Sequence, residues 1–145
     1  MKNILCPIDF SDVTEKVIDE AAKLARVFSC KLFLLHVAAP DPEFVGYSVG
    51  PQHERDWRSL TLHKEHRYIQ TKAKKLENEG INVTPLLVQG VAVDKILNKT
   101  DKFDIDMVVM GTHGHGVLHS VFVGSVSKGV IKNTKCPVLL VPAKS

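Results

Sequence analysis

Five short apolar runs alternating with four stretches of helical spacing restrict this chain to very few folds. The runs are Asn3 to Ile8 (NILCPI), Lys31 to Val37 (KLFLLHV), Asn82 to Val88, Ile105 to Met110 and Pro137 to Val141. After the first run, Ser11 or Asp12 can cap a helix whose apolar stripe is Val17, Ala21, Leu24, Ala25 and Phe28. Trp57 to Glu79 carries a looser helical pattern through Trp57, Leu60, Tyr68, Ile69, Ala73 and Leu76, and Gly80 sits where a helix C-terminal glycine belongs. Val91 to Thr100 predicts a short helix on Val93, Ile96 and Leu97, and Ser125 to Asn133 a last one. Strands that are apolar throughout are buried on both faces, which indicates a parallel sheet covered by helices on each side. Right-handed crossovers then leave only doubly wound arrangements. The expectation is one α/β domain over residues 1–145, since no linker or break in composition divides the chain.

Composition supports a packed domain and excludes several classes of function. The 145 residues are 44% hydrophobic and 24% charged, ordinary values for a chain with a core. A net charge of +3 without a basic stripe argues against a nucleic-acid partner. Lys128, Lys132 and Lys135 read either as a solvated helix face or as electrostatic help for an anion. Cys6, Cys30 and Cys136 form no C-x-x-C pair, which disfavours a disulfide framework or a cysteine zinc site and fits a reducing compartment. Pro7 and Asp9 cut the first apolar run, so it does not read as a secretory leader. No run approaches the roughly 20 apolar residues that span a bilayer. A cytoplasmic protein with no membrane association is expected.

The segment that carries chemistry is GTHGHGVLHSVFVGS, from Gly111 to Ser125. A glycine-rich turn ending at a helix N-terminus presents main-chain N–H groups and the positive end of the helix dipole to an anion. It is not a Walker loop, because Gly124 is followed by Ser125 and no lysine follows a suitably spaced glycine pair. It is not a dinucleotide fingerprint either: His119 stands where the third glycine belongs, and the segment follows the fourth strand rather than the first. In doubly wound folds ligands bind beyond the carboxyl ends of the strands. That rule gathers Pro7-Ile8-Asp9, His36-Val37-Ala38 and Met110-Gly111 onto one rim.

The spacing G-x2-G-x9-G-S, through Gly111, Gly114, Gly124 and Ser125, resembles the nucleotide-binding motif of the universal stress protein family. CPIDFSD at residues 6 to 12, LLHV at 34 to 37, VVMGTHGHG at 108 to 116 and CPVLLVP at 136 to 142 resemble that family's strands in the same order. The resemblance implies a five-stranded parallel sheet of order 3-2-1-4-5 and, through the complete glycine motif, the ATP-binding branch. Carried over by position, it implies that Pro7 lies at the rim and that Asp9 and the backbone at Val37 hold the adenine end. Met110 and Gly111 would lie along the adenosine. Gly114, Gly124, Ser125, Val126 and Ser127 would receive the phosphates. ATP, ADP or AMP is then the expected ligand, with magnesium screening the phosphates. The family's habit of joining last strands antiparallel implies a homodimer through Pro137 to Val141, an apolar strand expected at a sheet edge.

Other readings of these residues remain open at this point. Asp9 could serve only to organise the start of the first helix, although Asp12 is the better placed cap. His63 and His66 share a helix face but read as solvated, and the loop histidines His113, His115 and His119 read as flanking phosphates or solvent rather than binding zinc. His36, in a buried strand, reads as a satisfied core histidine. Ala38 to Asp56 reads as a lid or as a surface excursion. No persuasive catalytic set is present, so the expected role is regulatory, with slow ATP hydrolysis as the alternative.

Overall fold

The computed structural model describes residues 1–40, 52–113 and 123–143. Five strands, β1 (Asn3–Ile8), β2 (Lys31–Ala38), β3 (Val83–Gln89), β4 (Met107–Gly111) and β5 (Val138–Val141), form one parallel sheet in the order β3-β2-β1-β4-β5. Between them run α1 (Thr14–Phe28), α2 (Gln52–Asn78), α3 (Ala92–Lys102) and α4 (Ser125–Asn133). The doubly wound α/β fold and its strand order are therefore as expected.

The strand residues alternate between two cores, which is why their sequences are apolar throughout. Ile4, Cys6, Leu32, Leu34 and Val109 pack against α1 and α2 through Val17, Ile18, Ala21, Ile69 and Ala73. Leu5, Phe33, Leu35, Val108 and Met110 face the other way, against Ile96 of α3 and Val130 of α4. β1 and β4 are in register only at Ile4–Met107 and Leu5–Val108. Beyond those pairs both strands run on toward their carboxyl ends, and the crevice opens there, where the strand order reverses.

Several local expectations are corrected. Neither Ser11 nor Asp12 caps α1; the N-cap is Val13, with no side-chain hydrogen bond. The backbone at Val13 is already right-handed helical, so the entering turn closes through Thr14 N–H to Ser11 O at 3.0 Å. Phe28 is half exposed, because the buried stripe of α1 runs through Ile18, Ala22 and Ala25, to one side of it. Trp57 and Leu60 are 70% and 61% exposed. α2 begins at Gln52, earlier than the pattern suggested, and its 27 residues span about 40 Å. The eight residues of β2 reach only about 26 Å. The helix therefore outruns the sheet, and burial resumes at Ile69. Of the stretch from Ala38 to Asp56, residues 41–51 lie outside the described residues.

Three helices end in the same way, and only one announces it. Gly80, at φ 86°, closes α2 with Ile81 N–H on Leu76 O and Gly80 N–H on Glu77 O, the paired bonds of a Schellman motif. α1 and α3 end in equivalent motifs through Ser29 (φ 51°) and Asp104 (φ 47°), where no glycine marks the turn.

Candidate functional site

The crevice beyond β1 and β4 holds a cavity of about 230 Å³. Pro7, Ile8 and Asp9 at the end of β1, Val37 from β2, and Met110 and Gly111 from β4 line its floor. α1 contributes Val13, Thr14 and Val17, and α3 contributes Ala92 and Ile96. Gly124, Ser125, Val126 and Ser127 close the remaining side. Nine of the ten positions singled out by the motif thus converge on one cavity; Gly114 lies outside the described residues, as do His115 and His119. The positions that motif reasoning missed are the polar Thr14 and the apolar Val13, Val17, Ala92 and Ile96. They sit where helices begin beside the rim, a location that only the packing of the helices assigns.

Gly111 serves close packing at the site. A Cβ there would lie 2.9 Å from Val13 Cγ1 and 3.2 Å from His113 O, so the missing side chain lets α1 approach β4. Gly124 is the N-cap of α4 and supplies no capping side chain. The first intrahelical bond of α4 is Lys128 N–H to Gly124 O at 2.9 Å, so the amides of Ser125, Val126 and Ser127 precede the helical ladder. They lie at the positive end of the helix dipole, beside the cavity.

Ser127 is buried, and its Oγ donates to Gly111 O at 2.8 Å. Toward the cavity, therefore, the hydroxyl offers lone pairs, and the donor at this residue is its backbone N–H. The same bond braces α4 against β4. Gly124 N–H to Thr112 O at 2.7 Å adds a second tie across the same junction.

Asp9 is the carboxylate of the lining. Its Oδ1 accepts Ser11 N–H at 3.1 Å and Thr14 Oγ1–H at 3.4 Å, so it also organises the entry to α1. The two readings of Asp9 are compatible: the bonds that shape the turn hold the carboxylate at the rim. Asp9 and His113 are the ionisable residues among the described lining, and neither lysine nor arginine appears there. The cavity is polarised in its chemistry: it combines main-chain donors at α4, a carboxylate after β1, and apolar side chains from Val17, Val37, Ile96 and Met110. Such a site matches an anionic group at one end, hydrogen-bond donors at the other and a flat apolar middle.

Other reactive groups stand apart. Cys6 is fully buried, and burial pushes its thiol up to about 12, which leaves it unreactive. His63 and His66 are exposed on α2, as expected for a solvated pair. Among the described residues no three histidine, cysteine or carboxylate groups gather as a metal site. None of the described helices is long and apolar enough to cross a membrane.

The model of the universal stress protein family matches residues 1–142. Universal stress protein MJ0531 of Methanocaldococcus jannaschii is 33% identical over 143 residues, covering 97% of this chain and 81% of the relative. The solved structure of hypothetical protein MJ0577 superposes with a TM-score of 0.83 at 27% identity, covering 99% of this chain and 97% of that one. A universal stress protein from Archaeoglobus fulgidus, solved in complex with dAMP, superposes at 0.68 with 20% identity and 97% coverage of both chains, a likeness of fold.

Proposed function

The chain belongs to the universal stress protein family, and from that membership and the polarised rim cavity we propose that it is an adenine-nucleotide-binding regulatory protein. The observation that carries this reading is the pairing of unladdered α4 amides with the Asp9 carboxylate across one apolar-walled cavity. The phosphates sit on the amides of Ser125, Val126 and Ser127, each hydrogen bond to a charged group contributing about 1.5–3 kcal/mol. The adenine lies between the apolar walls, with Asp9 and the Val37 backbone accepting from its donor edge. A few such contacts suffice for micromolar affinity, about −8 kcal/mol. The family relative solved with dAMP supports a ligand of this class.

Magnesium fits this site as a companion of the phosphates. It binds through phosphate oxygens while keeping several waters, and so needs no protein cage. In the cell, ligand occupancy sets the state that a partner reads, in a cytoplasmic setting.

Calorimetry with ATP, ADP and AMP, with and without magnesium, tests the reading. Micromolar binding of at least one nucleotide is expected, weakened at least about tenfold in Gly124→Val, whose side chain crowds the amides. Absence of binding by all three, or an unaltered affinity in a folded Gly124→Val protein, overturns it.

A further inference from the structure

We propose that His36 is the positioning residue for the Asp9 end of the cavity, and that Glu65 of α2 holds it in place. The inference rests on the nucleotide reading above and names what aims one end of that site. His36 lies in β2, in register with Ile8 of β1 and Leu87 of β3, and is 6% exposed. Its Nδ1 lies 2.9 Å from Ile8 O. A carbonyl oxygen can only accept, so the hydrogen is on Nδ1, and this bond fixes the plane of the ring. Ile8 is the last residue of β1, and Asp9 follows it directly.

The residue on the other side of Asp9 is held by the same ring. Phe10 has φ 59°, a left-handed conformation that a bulky side chain keeps only when its surroundings impose it. Its ring packs on His36 with centroids 4.2 Å apart and meets Tyr68 edge-on at 4.8 Å. His36 therefore grips Ile8 through a hydrogen bond and Phe10 through a ring contact. Between two residues fixed on one imidazole, Asp9 has little freedom, and its carboxylate is aimed at the rim. Val37, the next residue along β2, also lines the cavity, so the ring is tied to two of its edges.

The second ring nitrogen marks where α2 enters. Nε2 is buried, and the side chain that meets it is Glu65, whose Oε2 stands 3.3 Å away. Glu65 is thus the residue through which α2 reaches the ring. Beyond this pair lies Tyr68, which bonds Glu15 of α1, with Lys72 on the same carboxylate. The Asp9 end is thereby connected through His36 and Glu65 to α2, the helix that follows residues 41–51.

The two nitrogens can be separated by substitution. Asparagine is shorter than histidine and places an amide N–H near the Nδ1 position, so His36→Asn keeps the donor to Ile8. His36→Gln places its amide near the Nε2 position and removes that donor. With wild-type affinity measured first, His36→Gln is expected to weaken AMP and ATP by the same factor, roughly fivefold to tenfold, the equivalent of one hydrogen bond. Equal losses follow because the Asp9 end is common to both ligands. His36→Asn is expected to restore affinity to within about twofold of wild type. Glu65→Ala removes the side chain that meets Nε2, leaves every cavity-lining residue in place, and is expected to weaken both ligands about threefold, the scale of one weak polar contact. Wild-type affinity in folded His36→Gln and Glu65→Ala proteins overturns the inference, as do equal losses in the His36→Asn and His36→Gln variants. Should His36→Gln fail to fold, Glu65→Ala decides alone. Failure of the wild type to bind any nucleotide removes the functional reading and this inference with it, an outcome distinct from the others.

Discussion

At the residue scale, the glycine motif combines two different physical demands. Gly124 leaves the start of α4 without a side-chain cap, so no capping side chain covers the amides of the first turn beside the cavity. Gly111 is needed for close packing, with Val13 Cγ1 only 2.9 Å from where a Cβ would be. Gly111→Ala is therefore expected to destabilise the fold by about 1–3 kcal/mol through overpacking. Val13→Ala in the same chain should recover part of that loss by making room. Urea denaturation of the two single variants and the double variant checks this, and additive losses would refute the steric account. Ser127 shows how a hydroxyl in a binding motif can be committed elsewhere, since its proton goes to Gly111 O.

At the element scale, α1 and α2 are joined by apolar packing and by one polar cluster. Glu15 of α1 accepts from Lys72 at 2.6 Å and from the Tyr68 hydroxyl. The hydrogen bonds from Lys72 and then Tyr68 hold the Glu15 carboxyl below its ordinary value of 4.5. A depressed carboxyl contributes stability above its unfolded value and loses it as pH falls through the folded one. Burial, and then the bond to Glu15, pushes the Tyr68 phenol up to about 12. That contribution is complete below about pH 10 and is lost as pH rises toward 12. Wild-type stability is expected to fall more steeply than that of Glu15→Gln between about pH 5 and about pH 3, measured by urea midpoint. Parallel pH curves for the two proteins would contradict the assignment. Glu15 is largely exposed, so the effect is small beside the packing of Ile69 and Ala73.

At the scale of the whole molecule, β5 ends the sheet, paired with β4 alone among the described strands, and Leu139 is 38% exposed. An apolar edge of this kind invites a second copy. The expected state at micromolar concentration is a homodimer joined through Pro137 to Val141, and Leu139→Glu should shift it to monomer. Sedimentation velocity tests both statements, and a wild-type monomer would exclude the pairing. Much of this architecture is legible in the sequence, because apolar runs buried on both faces, Gly80 and the G-x2-G-x9-G-S spacing are local signals. Ser29 and Asp104 at helix ends carry no such mark, since their left-handed backbones are imposed by the connections around them. The order of strands and helices and the parallel sheet are legible from the chain alone, because apolar periodicity acts over a few residues, while the rim positions are expectations implied by the family resemblance. Packing alone set that β1 and β4 pair only at Ile4–Met107 and Leu5–Val108, that Ser127 bonds Gly111, and that His36 meets Ile8, Phe10 and Glu65. Those contacts join residues far apart in the chain, and their geometry exists only once the helices have packed against the sheet.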